Sequence, residues 1–318
     1  MKVSALIPTY NRRPYVFRAI ESVLAQTVPV DEIIVVDDGS TDGTAEAIRS
    51  RYGSRVGVFR QGNGGVPVAR RRTVEEAQGE WVAFLDSDDV WHPTKLERQF
   101  DALTTLGNDF GACFTNCSYF GDPDLRLTTF EEAGLKTNMA VGHLADPIRY
   151  IVGNPLGIYV QSLMVLRSLL TEVGGFDDAL GISEDRDLIF RLAFRTKFCF
   201  VSAPLVRIDR TPCLSRLTGL LAHKDDQTYT WLERPFKKWL AWPELVDRET
   251  RQMIREELVA LYYGGAAERL HELRLASALE KIKEIRRLGH SYPEIVLTLL
   301  SRVARKLSRT LRARVSES

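Results

Sequence analysis

No stretch of the 318-residue chain reaches the roughly 18 uninterrupted apolar residues that a membrane-spanning helix needs. The first residues, MKVSALIPTYNRR, run apolar and then basic, the reverse of a secretory signal peptide. Cysteine is scarce: Cys113, Cys117, Cys199 and Cys213 are too few and too dispersed for a disulfide framework. The thiols therefore read as reduced and the compartment as cytoplasmic. Cys113 and Cys117 have neither a second pair nor a nearby histidine, so zinc spacing is missing, and the five histidines form no HExxH. No GxGxxG follows the first apolar run, which argues against a dinucleotide-binding oxidoreductase. A net charge of only +1 argues against nucleic acid as a partner.

What is present is ordinary globular composition, 44% apolar and 27% charged, in a chain about two domains long. Charge is divided unevenly: residues 1–215 carry 23 basic against 28 acidic side chains, residues 216–318 carry 20 against 14. Pattern changes at the same place. Short β-branched runs at Val3–Pro8, Glu32–Val36, Val56–Arg60 and Trp81–Leu85 alternate with helical periodicity, which predicts a βαβ arrangement and a mostly parallel central sheet flanked by helices. A helix from Pro93 to Leu106, strands at Phe110–Phe120 and Tyr159–Leu166, and a helix at Ser183–Arg195 complete this part. Gly121–Pro155 reads as loop. Beyond residue 215 the pattern is helical, with segments predicted at Glu244–Tyr263 and Ala266–Leu288. The expected organisation is thus an α/β domain over 1–215 and an α-helical appendage over 216–318.

In such sheets ligands bind outside the carboxyl ends of the strands, and here those ends are polar: PTYN, DDGS and DSDD. Asp86-Ser87-Asp88-Asp89 sets three carboxylates within four positions, a repulsive cluster that a hard divalent cation such as Mg²⁺ or Mn²⁺ would relieve while sharing substrate phosphates. An acidic loop at the start of the next helix is the plainer reading of the same residues. Asp37-Asp38 offers acceptors for a ribose hydroxyl or a base N–H. Arg70, Arg71 and Arg72 offer cations, either to offset phosphate charge or to pair with those acids, and two of them are expected in solvated surface pairs.

PTYN, VVDDGSTDGT, the glycine-rich loop before VARRR, GEWVAFLDSDDVWHPTKLE and GGFDDALGISEDRDLIFRLA occur in that order over residues 2–195, and together they resemble a family 2 glycosyltransferase of GT-A fold. The resemblance implies an inverting, metal-dependent transfer from a nucleoside-diphosphate sugar, most often a uridine one, to a hydroxyl of a glycan or lipid-linked acceptor in surface polysaccharide synthesis. It places Pro8 and Tyr10 against the nucleoside, with Tyr10 stacking on the base, Asp38 reading the base, and Arg70 at the family's basic position. It also puts Asp88 at the ribose and metal, Asp89 at the metal and diphosphate, and Asp185 in the role of general base. Two departures stand out: Arg71 replaces the usual asparagine, and no histidine follows the last strand near Thr211. A nucleotidyltransferase making NDP-sugars would need glycines after the first strand, where PTYNRRP has none. An inactive nucleotide-sugar-binding scaffold would have no need of both the acid cluster and Asp185.

The acceptor pocket is expected from Gly121–Pro155 and the helices past 215. Residues 294–318 read as a basic amphipathic helix: Val296, Leu300, Val303, Leu307 and Leu311 form one stripe among arginines and lysines. That stripe is expected either on an anionic membrane surface, making the protein peripheral, or packed on the catalytic domain or a second subunit of a homo-oligomer.

Overall fold

The computed structural model describes residues 1–107, 109–153, 157–211, 226–272 and 274–302, and the chain divides into two compact units, Met1–Leu214 and Ser215–Ser318. In the first unit, β1 (Val3–Thr9), α1 (Arg13–Leu24), β2 (Glu32–Asp37), α2 (Thr44–Tyr52), β3 (Gly57–Arg60), α3 (Val66–Glu76) and β4 (Trp81–Phe84) alternate. They build a parallel sheet in the order β3-β2-β1-β4. Every residue of β1 is buried, because helices cover both faces of a parallel sheet. Pro8 is tolerated in this central strand because pairing with β4 stops at Leu6 opposite Phe84, so its missing N–H breaks no ladder on that side.

The chain continues through β5 (Val90–Trp91), α4 (Lys95–Leu106), β6 (Phe110–Phe120), α5 (Thr129–Glu132), β7 (Val141–His143), α6 (Pro147–Gly153), β8 (Met164–Leu166), α7 (Arg167–Glu172), α8 (Glu184–Leu192) and β9 (Lys197–Asp209). β8 lies antiparallel between β4 and β6, and β9 runs parallel to β6. β1, β2, β3, β4, β6 and β9 therefore point one way, which is the mostly parallel sheet of the sequence reading, while β5, β7 and β8 run against them. Thr9, Asp37, Phe84 and Asp209 consequently finish their strands at one edge. The first unit is thus an α/β fold around a mostly parallel sheet, as expected, and the second unit is helical.

Three expectations are corrected. Tyr159–Leu166 is not one strand: Val160–Ser162 form a 3₁₀ turn and only Met164–Leu166 pair in the sheet. Gly121–Pro155 is not plain loop but carries α5, β7 and α6, the first started by a capping box in which Thr128 and Glu131 satisfy each other's backbone N–H groups. In the second unit the helices are α9 (Asp226–Leu240), α10 (Arg248–His271) and α11 (Leu275–Arg287), followed by a helix at residues 292–302. The helix predicted to end at Tyr263 runs on through Gly264 and Gly265. A Cβ on Gly265 would lie 2.9 Å from the Arg269 guanidinium and 3.0 Å from the Tyr229 ring, so the glycine admits these side chains rather than ending the helix.

Candidate active site

The acid loop is pinned at both ends, by β4 against β1 and by β5 against the last residues of β9. Within it the Asp89 amide bonds the Asp86 carbonyl at 3.0 Å, closing a turn that separates the carboxylates. Asp89 points inward and is 3% exposed. One of its oxygens accepts the Asp209 backbone N–H and the other accepts Gln161 Nε2, both at 2.9 Å. Burial, reinforced by the charges of Asp88 and Asp86, pushes its pKa well up. The side chains of Asp86 and Asp88 are 29% and 20% exposed. Both Asp89 oxygens thus already accept hydrogen bonds from inside the protein, and Asp88 is more exposed than Asp89. Among the described residues no three His, Cys, Asp or Glu side chains converge on a metal position. A divalent ion held here would take one or two carboxylates of this loop and be completed by substrate phosphates, the mode usual for Mg²⁺.

Arg70 ties this loop to the candidate base. It lies on α3, is almost fully buried, and reaches Asp86 at 2.7 Å with one nitrogen and Glu184 with another. Burial opposes its charge, but Asp86 and Glu184 outweigh that and raise its pKa. Glu184, also buried, is pushed up to about 7 by desolvation, with Arg70 opposing and Asp185 adding to the rise. Arg70 is therefore a buckle between the acid loop and α8. Arg71 and Arg72 make the surface pairs, with Asp178 at 2.8 Å and Glu76 at 2.6 Å.

Asp185 sits half-buried in the first turn of α8, where the helix dipole favours a carboxylate. The turn is entered through Ser183 at φ +69°, a left-handed conformation uncommon for serine. One Asp185 oxygen accepts the Arg186 N–H at 2.7 Å. Arg186 in turn donates to the Val152 carbonyl at 2.8 Å, anchoring this helix start to α6.

On the nucleoside side, Tyr10 is exposed just past β1 while Pro8 is buried in the strand. Asn11, at φ +49°, accepts the Thr41 N–H at 2.9 Å and donates its own N–H to Ser40 Oγ at 2.8 Å, joining the first two strand-end loops. Asp38 accepts from Gly64 N–H, Gly65 N–H and Gln61 Nε2 at 2.8–2.9 Å, so its carboxylate holds the glycine loop against β2. Gly39, at φ +82°, lets that loop approach: a Cβ there would stand 2.9 Å from the Asn63 nitrogen. Beside these, Thr9 Oγ1 and one oxygen of Asp37, neighbours across β1 and β2, are buried and find no partner among the described residues. Such atoms suit a ligand donor or an ordered water at the strand edge.

Arg18, Gln161 and Asp209 escaped the sequence reading. Arg18 on α1 donates to the Asp88 carbonyl and to Asp209, both at 2.7 Å, and Arg12 stands 3.7 Å from the Asp88 carboxylate. Asp209 is held below the ordinary carboxylate range: burial works against its charge, while Thr211 and Arg18 more than compensate. The strand-end rule that located DDGS and DSDD would also have found Asp209, which ends β9 at the same edge.

Residues 4–149 match Glycosyl transferase family 2. The putative teichuronic acid biosynthesis glycosyltransferase TuaG of Bacillus subtilis is 45% identical over 134 residues, covering 41% of this chain and 52% of TuaG. Among solved structures, S. aureus TarS in complex with UDP superposes with a TM-score of 0.56 at 20% identity, over 92% of each chain. The mannosyltransferase PcManGT from Pyrobaculum calidifontis, in complex with GDP-Man and Mn²⁺, gives 0.57 at 19% identity over 99% of this chain and 83% of its own. The chain spans about a third to a half of the length of the curated relatives it matches first. The ordered strand-end motifs, the GT-A sheet and this match assign residues 4–149, within the first unit, to glycosyl transferase family 2.

Proposed function

We propose that the protein is an inverting glycosyltransferase that moves a sugar from a nucleoside-diphosphate sugar, a UDP-sugar first among them, to a hydroxyl of a glycan or lipid-linked acceptor in cytoplasmic surface-polysaccharide synthesis. The observation that carries this reading is Arg70: by pairing with Asp86 and Glu184 at once, it brings the acid loop and the start of α8 to the same strand edge. UDP in TarS, GDP-Man with Mn²⁺ in PcManGT, and the teichuronic acid assignment of TuaG support the donor, the metal and the product class.

In this mechanism Tyr10 and the DDGS edge receive the nucleoside. Asp88, with Asp86, would hold the divalent ion, whose chemistry is to neutralise the diphosphate as it leaves. Asp185 takes the proton of the acceptor hydroxyl as that oxygen attacks the anomeric carbon from the face opposite the diphosphate. Arg70 and Glu184 fix where Asp185 stands, and Gln161, Asp209 and Arg18 fix the acid loop.

UDP-sugar turnover with a panel of glycan acceptors tests the assignment. Asp185→Asn is expected to bind UDP as the wild type does and to lose at least about a hundredfold in turnover. Near-wild-type turnover, or a product that keeps the donor's anomeric configuration, refutes it.

A further inference from the structure

The helix at residues 292–302 carries two apolar rows. Ile295 and Leu299 are buried in the second unit, and Arg302 follows on that side with its guanidinium over the Tyr263 ring at 5.6 Å. The other row faces away: Tyr292, Val296 and Leu300 repeat every four residues, with Leu297 beside them, and Val296, Leu297 and Leu300 are 52%, 69% and 63% exposed. One buried row suffices to pack a surface helix, and the solvent-facing side of such a helix is normally polar. On α11, Leu275 and Leu279, one turn apart, are exposed in the same way.

We propose that this uncovered face docks the protein on an anionic phospholipid surface. Charge selects that occupant. Residues 274–318 contain 11 Lys and Arg against 4 Glu, in a chain whose net charge is +1. Arg274, Lys283, Arg286 and Arg287 are exposed on or next to α11, and the Arg286 guanidinium lies 4.6 Å from the centre of the exposed Tyr292 ring. After Leu300 the sequence repeats the row at Val303, Leu307 and Leu311, with Arg305, Lys306, Arg309, Arg312 and Arg314 between; these positions lie outside the described residues. Apolar side chains that enter the acyl boundary, a tyrosine suited to headgroup depth and long cations beside them are the components of an interfacial helix. No helix among the described residues is long and apolar enough to cross a membrane, so the contact is peripheral.

The test is sedimentation of the full chain with vesicles of phosphatidylcholine alone and with about a quarter phosphatidylglycerol. Binding to the anionic vesicles is expected to exceed that to the neutral ones by at least about tenfold and to collapse at high salt, because cation–headgroup attraction is screened within a Debye length. Leu297→Glu with Leu300→Glu should weaken vesicle binding by at least about tenfold, since both apolar side chains are lost from the acyl boundary. The melting temperature should not change, because both residues are exposed. Equal affinity for both vesicle types, or none for either at low ionic strength, overturns the proposal. So does a wild-type dimer in light scattering that the double variant converts to monomer, because the face would then be an interface between copies.

Discussion

Replacing Arg70 by methionine keeps much of the side chain's length and apolar stem but removes a guanidinium that two carboxylates share. Glu184 is left almost fully buried with no cation beside it, and Asp86 is left in a loop with two other aspartates. Unit charges about 4 Å apart attract by about 4 kcal/mol at an effective dielectric of ~20, and breaking a buried pair from one side typically costs about 3–5 kcal/mol. The Asp86 side is partly solvated and contributes the smaller share. Glu184→Gln should cost only about 1–3 kcal/mol, because glutamine still accepts from Arg70 and Asp86 still balances the charge. If the two residues act as one buckle, the double variant falls short of the summed single losses by about 2–3 kcal/mol. Hydrogen exchange of the buried β1 and β4 amides measures this, since it reports opening of the first unit without requiring the chain to unfold in one step. Costs that add to within about 0.5 kcal/mol would show that Arg70 and Glu184 are independent, and the argument that joins the acid loop to Asp185 would fall with that result.

Asp88→Asn should weaken metal-dependent UDP binding with little change in melting temperature. Asp89→Ala should instead destabilise the first unit by about 1–3 kcal/mol, because Gln161 and the Asp209 N–H lose their acceptor; calorimetry beside UDP titration separates the two, and the reverse pattern would return the metal to Asp89. Lys95 is fully buried with its amine 2.8 Å from Gln99 Oε1, and burial depresses its pKa from 10.5 to about 7. A folded value below the unfolded one means that the stabilising contribution is present above pH 10.5 and is lost as pH falls to about 7. Lys95→Met should therefore be the more stable protein at pH 7, and its advantage should shrink by about 1.4 kcal/mol per pH unit up to pH ~10 in urea unfolding; a pH-independent difference contradicts this. Gly39→Ala forces φ +82° on a residue with a Cβ and presses it against Asn63, so the melting temperature of the first unit should fall by about 4–8 °C, the equivalent of ~2 kcal/mol. A melting temperature unchanged by that substitution would mean that the glycine loop yields freely.

The strand-and-loop rhythm up to Asp89 was legible because each apolar run and the polar turn ending it are neighbours in sequence. The roles inside the acid cluster were not. Which of Asp86, Asp88 and Asp89 faces inward depends on Gln161 and Asp209, which arrive from 72 and 120 positions away. Whether Arg70 offsets phosphate or pairs with acids stayed open for the same reason: Glu184, one of its partners, is 114 residues distant. The Thr128-to-Glu131 capping box was written in the sequence, yet glycines, prolines and aspartates nearby outweighed so short a helix. At Gly264–Gly265 the error ran the other way. Two glycines suggest a stop, and only the packed Tyr229 and Arg269 show why a continuous helix keeps them.

Those long separations also set an order of events during synthesis. The parallel strands β3-β2-β1-β4 can pair once residue 84 has left the ribosome, but Asp89 has no Asp209 N–H until another 120 residues are made, and Arg18 waits 191 residues for its carboxylate. At about 5–20 residues per second the acid loop therefore spends roughly 6–24 s on the nascent chain without that partner. A chain stalled before Glu184 would carry the half-sheet with neither the Asp209 N–H at Asp89 nor the Glu184 carboxylate at Arg70, and in the longer chain protection of the Asp209 amide from exchange would mark the moment the first unit closes.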